Sequence, residues 1–285
     1  MKARYYDDAA EFWTVAHDLF EAEPAKHTTV LSVVHAVLNA PRPDAAPLVL
    51  VTLHDESGSL RGAALRTPPW PLALSGIGVD DVPFLVGELL EQHPGLDSVM
   101  GPRDVADRFG GEWASATGTT VKTIFDLRLY RLAELITPQV AGRARIAGEA
   151  DLDVAVQHWV GFSDESAAHR GTNSADAEAA VRQQFSLGSA TVLWEVDGVV
   201  VSSAVAKVPN AGASRIGPVY TPPEHRRHGY AAAATAEAAR WARSVGAREV
   251  LLYTDLANPT SNGVYQRIGF RPVTDFVELA FDAPA

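Results

Sequence analysis

The chain has 285 residues, 47% hydrophobic and 21% charged, with a formal net charge of −11 and no cysteine. Its length and apolar content suit one large or two ordinary packed domains, and the acidic balance argues against a nucleic-acid binder, which carries a basic footprint. Disulfides, thiolate nucleophiles and thiolate metal sites are excluded; the start, Met1 to Asp8, lacks the apolar core of a signal peptide, and no apolar run is long enough to span a bilayer, so a cytoplasmic protein is expected.

In chain order, Glu11 to Glu23 carries apolar residues at Phe12, Val15, Ala16, Leu19 and Phe20, the spacing of an amphipathic helix. Thr28 to Leu38 repeats that spacing, and Pro41-Arg42-Pro43 ends it. Leu48 to Leu53 and Arg61 to Arg66 are predicted as paired strands about the turn Asp55-Glu56-Ser57-Gly58. A short strand at Leu72 to Leu74, a helix at Val82 to Gln92 and a short strand at Ser98 to Met100 follow. A helix from Pro102 to Thr117, with proline near its start, leads into a long strand from Thr119 to Leu132.

The second half gives the same order. A strand at Arg143 to Ala147 precedes helices at Asp151 to Phe162 and Ala175 to Phe185. Ala190 to Val196 and Val199 to Val208 form a hairpin about Asp197-Gly198. Then come strand 214–221, helix 229–244, strand 249–254, helix 260–268 and strand 271–281. Two tandem copies of one α/β unit are expected, 1–138 and 139–285, joined near Thr137-Pro138-Gln139.

One stretch of the second copy carries chemistry in its pattern: Val219-Tyr220-Thr221-Pro222-Pro223-Glu224-His225-Arg226-Arg227-His228-Gly229-Tyr230-Ala231. Pro222-Pro223 stops the strand, because proline has no amide proton for the ladder. Gly229 lets backbone approach a ligand closely. The first turn of the following helix leaves amide protons unpaired, and with the positive end of the macrodipole they form an anion site. Arg226, Arg227 and His228 add charge there. There is neither a Gly-Lys-Ser/Thr P-loop nor a three-glycine dinucleotide fingerprint.

Arg226-x-x-Gly229-x-Ala231 resembles the Gln/Arg-x-x-Gly-x-Gly/Ala signature of the GNAT superfamily of N-acetyltransferases. The block Asn258-Pro259-Thr260-Ser261-Asn262-Gly263-Val264-Tyr265-Gln266-Arg267-Ile268-Gly269-Phe270 resembles that family's other hallmark, in the right order and spacing. The resemblance implies tandem GNAT-like domains, each a mixed, mostly antiparallel twisted sheet flanked by helices. It implies acetyl-CoA as co-substrate, held by Val219, Tyr220, Thr221, Arg226, Arg227, His228, Gly229, Tyr230, Ala231, Asn258, Ser261, Asn262 and Tyr265. It implies no metal; His225 and His228 are three apart, but no third ligand is placed. The first copy departs from the pattern. Its strand-to-helix turn, Ser75 to Asp81, has two carboxylates and no Arg or Lys, and Pro102 to Gly118 has no matching Tyr, so a degenerate copy without the cofactor loop is expected.

For the reaction, an amine acceptor arrives protonated and must lose a proton. GNAT enzymes often use a Glu on the strand before the phosphate loop, but Arg215 to Tyr220 contains no carboxylate. Glu195 on the preceding hairpin is the expected substitute, acting through water. Tyr265 is the expected acid for the departing thiol. The amide of Val219 or Tyr220 could hold the oxyanion, with Gly217-Pro218 interrupting the ladder, while Asn258 doubles as a helix cap. Residues 164–180 are a candidate lid. The expected acceptor is a small amine, such as an amino-acid-like metabolite or antibiotic, with a homodimer among the expected assemblies. Two other readings stay open: a GNAT-fold transferase using aminoacyl-tRNA or a carrier-protein thioester, and a non-catalytic CoA-binding sensor.

Overall fold

The computed structural model describes residues 1–40, 46–166 and 174–282. Its elements are β1 (Lys2–Tyr5), α1 (Ala9–Ala22), α2 (Thr28–Asn39), β2 (Val49–His54), β3 (Leu60–Arg66), β4 (Leu72–Gly76), α3 (Val82–Gln92), β5 (Ser98–Pro102), α4 (Arg103–Thr117) and β6 (Thr120–Leu132). The second half repeats them as β7 (Arg143–Ile146), α5 (Leu152–Glu165), α6 (Ser174–Ser186), β8 (Ala190–Val196), β9 (Val199–Ala206), β10 (Ala213–Tyr220), α7 (Tyr230–Ser244), β11 (Glu249–Asp255), α8 (Pro259–Arg267) and β12 (Phe270–Asp282). The element missing from the sequence-based expectation is β1. It has only four residues and no apolar run, and it forms by antiparallel pairing with β2, Tyr5 opposite Val51. With β1 in place the two halves match element for element. No helix among the described residues is long and apolar enough to cross a membrane.

The chain forms two compact units. The first comprises residues 1–127 together with the C-terminal strand from Thr274; the second runs from Arg128 to Val273. The expected division at 138/139 therefore coincides with neither edge. The reason is the length of β6 and β12. Each has 13 residues, against five to eight for the strands beside them in β5 and β8 to β11. At about 3.3 Å per residue each extends roughly 43 Å, so each serves more than one unit.

In the first unit the strand order is β1-β2-β3-β4-β5-β12, antiparallel except for the parallel pair β4–β5. Its core joins Leu72, Leu74, Leu85, Leu89, Phe109 and Trp113 to Val277 and Leu279 of the incoming strand. In the second unit the order is β6-β11-β10-β9-β8-β7, with the parallel pair β10–β11 at the matching place. There α7 packs over β8, β9 and β10. Its buried face is almost all alanine (Ala233, Ala234, Ala236, Ala238, Ala239, Ala242), and such small side chains let a helix lie close against a sheet. Tyr130 of β6 is fully buried in this second core.

Candidate active site

The site begins where β10 parts from β11. The two strands run parallel and in register from Ala213↔Glu249 to Ile216↔Leu252, and the register goes no further although both strands continue. On its other edge β10 shifts register against β9 between Ile216 and Val219. Gly217, with φ of 148°, and Pro218 occupy that irregular point, where a residue without an amide proton weakens the ladder. The backbone of 217–220 thus faces an opening on the β11 side.

Beyond the opening the chain makes the anion cradle. A single 3-10 turn over Pro223–His225 is closed by His225 N–H donating to the Pro222 carbonyl at 2.9 Å. Arg227 (φ 66°) and Gly229 (φ 84°) both take left-handed backbone, curling the turn into the start of α7. The first helical bond is from Ala233 N–H to the Gly229 carbonyl, and among the described residues the amides of 227–232 meet no acceptor. That leaves six donors at a helix N-terminus, as an anion requires. A Cβ on Gly229 would approach Val140 Cγ1 to 2.8 Å, so side-chain bulk is excluded as well as strained. His228 stacks on Tyr230 with ring centroids 5.3 Å apart.

Arg226 differs from the expected role. Its guanidinium is held by both Glu165 oxygens at 2.5 and 2.7 Å, donates to the Thr221 carbonyl at 2.9 Å, and lies 6.0 Å from the Tyr220 ring centroid. It pins the turn to the strand end and to α5, and its charge is largely neutralised by Glu165, while Arg227 has no ion pair among the described residues. Thr221 is likewise tied in place, through Oγ1 to Ser202 Oγ at 2.8 Å.

Across the opening, α8 packs on β11 and α7. Asn258 caps it by accepting from Ser261 N–H at 3.0 Å, and Pro259 occupies the first helical position. Asn262 is not available to a ligand in the expected way: its amide donates to the Asp255 and Asn258 carbonyls and its oxygen accepts from Tyr130 Oη at 2.9 Å. Tyr265 is buried with its ring edge-on to Phe270 at 6.2 Å. Burial pushes its phenol up to about 12, so it keeps its proton through the neutral range.

Glu195 is buried within an ion-paired cluster. Arg145 Nε approaches one oxygen at 2.5 Å and Arg143 Nε the other at 3.5 Å, while Arg145 also holds Asp151. Hydrogen bonding to Arg145 holds the Glu195 carboxyl below its usual range. A carboxylate already satisfied by two guanidiniums is a poor acceptor for a substrate proton, so its expected role as base gives way to a structural one.

A buried titratable side chain that the sequence-based expectation did not include is His158 of α5, the helix that packs on β10. Its Nδ1 lies 2.8 Å from Ser203 Oγ, and its ring meets Tyr220 edge-on at 5.4 Å. It lines a small cavity of about 10 Å³ with Trp159, Gln184, Thr191, Ser203 and Pro218. Burial, then the nearby His225, push its pKa down to about 4, so the ring is neutral at pH 7. The available signal was a lone polar residue beside Trp159 in an otherwise apolar helix stripe. Residues 167–173 of the expected lid lie outside the described residues.

Among the described residues, the corresponding turn of the first unit is built differently. Asp81 is buried at the turn after β4, 3.6 Å from Arg61. A Cβ on Gly76 would meet the Ala63 carbonyl at 2.5 Å and the Phe20 ring at 2.7 Å. Ser75 Oγ is bonded to the buried His27 at 3.0 Å. Phe109 and Trp113, stacked at 5.8 Å, fill the face of α4, the helix that corresponds to α8.

Residues 159–270 match the family described as acetyltransferase (GNAT); the second half of the chain is a GNAT domain, and the whole has the fold of tandem GNAT proteins. No curated protein matches the chain. Among solved structures, a GCN5-related N-acetyltransferase from Kribbella flavida is 22% identical with a TM-score of 0.57, covering 90% of this chain and 95% of that one. A GNAT-family acetyltransferase from Colwellia psychrerythraea is 12% identical with a TM-score of 0.63, covering 99% and 100%. A tandem GNAT protein from the clavulanic acid biosynthesis pathway is 13% identical with a TM-score of 0.60, covering both chains entirely.

Proposed function

We propose that the second unit transfers an acetyl or similar acyl group from acetyl-CoA to the amine of a small molecule within a ternary complex. The observation that carries this is the parting of β10 from β11 after Ile216 and Leu252, leading directly into the six unpaired amides of 227–232. When bound, acetyl-CoA supplies an activated thioester. The cradle amides and Arg227 would hold its pyrophosphate. The free edge of 217–220, including the amide of Val219 or Tyr220, would hold the carbonyl oxygen. Tyr265 carries the proton for the departing sulfur. With the phenol at about 12 and a thiol near ~8.5, that transfer is uphill by about 5 kcal/mol, which the positive start of a helix can partly offset. His158 is neutral at pH 7 and takes the proton that the amine nitrogen sheds as its bond to carbon forms.

Calorimetry with acetyl-CoA and CoA tests the co-substrate, with Gly229→Glu as the site control. Micromolar binding lost in that variant supports the assignment, and an amine panel with thiol detection then identifies the acceptor. No binding to the wild type would sink the acetyl-CoA assignment and favour a carrier-protein or aminoacyl-tRNA donor.

A further inference from the structure

Two neighbouring helices of the second unit each bring one polar residue to a core position. On α6, Ala177, Val181 and Gln184 make one buried stripe at i, i+4 and i+7, with Gln184 only 4% exposed. On α5, Ala155 and His158 share the buried face, three residues apart. The two helices pack on each other, α5 also on β9 and β10, and α6 on β8. Where they meet the sheet, His158 and Gln184 line one cavity with the hydroxyl-bearing Thr191 and Ser203 and with apolar neighbours. Its volume of about 10 Å³ is at the lower bound for a single water and too small for any larger group.

Two of its polar atoms are unspent. His158 Nδ1 lies 2.8 Å from Ser203 Oγ, so those groups satisfy each other, but Nε2 has no hydrogen bond among the described residues. Gln184 Oε1 is buried and meets no donor there. Buried polar atoms of both kinds are nearly always paired, with protein or with ordered water. Among the described residues no carboxylate, lysine or arginine lines the cavity, and His158 is itself neutral at pH 7. A charged occupant would therefore lack a counter-charge. The group that fits is neutral, water-sized and able to donate a hydrogen bond to an amide oxygen.

We propose that one ordered water occupies this cavity, donating to Gln184 Oε1 and bridging to His158 Nε2. Gln184 is then a positioning residue: through that water it holds the imidazole by its second nitrogen, as Ser203 holds it by the first. Its bearing on catalysis rests on the acyl-transfer reading above, in which His158 takes the amine's proton; the water site does not. A high-resolution crystal structure of the full chain is expected to show one water within about 3.2 Å of both atoms. An empty cavity, or a protein donor on Gln184 Oε1, overturns the proposal, and this holds even where a variant fails to fold. Gln184→Met keeps the side-chain length and removes the acceptor. In heteronuclear NMR of the ring nitrogens, His158 should shift in that variant while His27, buried in the first unit, stays in place. Unchanged His158 signals overturn the bridge. In acyl-transfer assays, kcat of Gln184→Met should fall about 3- to 10-fold, the worth of one hydrogen bond, with KM for acetyl-CoA unchanged. The water in place with kcat unchanged keeps the site and overturns the positioning role. The water and the shift both present, in a protein without acyl-transfer activity, leave the site standing and remove the reading above.

Discussion

Tyr265 and Glu195 entered as an acid and a base, and their surroundings now separate them. Tyr265 sits in an apolar setting that keeps its proton on. Replacing it with Phe removes one oxygen and keeps the packing against Phe270, so kcat should fall by about 10²- to 10⁴-fold with acetyl-CoA affinity retained. An unchanged kcat would exclude Tyr265 as the acid. For Glu195→Gln the opposite pattern is expected. Activity should stay within a few-fold, while the denaturant midpoint shifts downward, because Arg143 and Arg145 lose their shared counter-charge. His158 gives a pH signature. Its folded pKa of about 4 lies below the unfolded value of about 6.5, so between those limits only the unfolded state takes the proton. Stability of the second unit should therefore fall with pH across that window, by roughly 3 kcal/mol in all. Urea titrations at pH 7 and 4.5 measure this, and His158→Gln should flatten the difference. In the first unit His27, also near 4, acts in the same direction. Glu278, raised to about 7 by burial, stabilises at low pH and loses that contribution as pH rises, so the two largely cancel there.

Among elements, the turn from β10 to α7 was the most legible in the sequence. Two prolines, a positive-φ glycine and an alanine helix each act through the local backbone, and the structure places them in that sequence. Gly229→Glu sets bulk against Val140 and a negative charge among the cradle donors. Acetyl-CoA affinity should drop at least ~100-fold, with far-ultraviolet circular dichroism unchanged if the loss is local. The partners of the same turn were not legible. Arg226 is 61 residues from Glu165 in sequence, and no local pattern announces that the motif's arginine is pinned to α5. Asn262 likewise spends its side chain on Tyr130, 132 residues away. Side-chain hydrogen bonds across such separations depend on which elements meet, and spacing alone does not encode that.

For the molecule as a whole, the duplication shows in element order, but the compact units exchange material between the halves. Tyr130 and Leu132 lie in the core of the second unit, and Tyr130 also bonds Asn262 and Gln266. A fragment spanning 139–285 would lose both side chains from that core and keep a strand, 274–282, whose partners are in the first unit. Such a fragment should fail to unfold cooperatively and should bind acetyl-CoA far more weakly than the full chain. A fragment of 128–273 should do better on both measures; equal behaviour of the two would count against the division of units. The sequence by itself determined the repeated α/β order and the glycine turn that leads from β10 into the alanine-rich α7. These follow from backbone preferences, hydrophobic period and charge, all of which act over a few neighbouring residues. Only the tertiary structure decided where each unit closes, that Glu195 is ion-paired to Arg143 and Arg145, and that His158 meets Ser203 and Tyr220. Each of those depends on strand register, which sets which distant side chains share one face of a sheet.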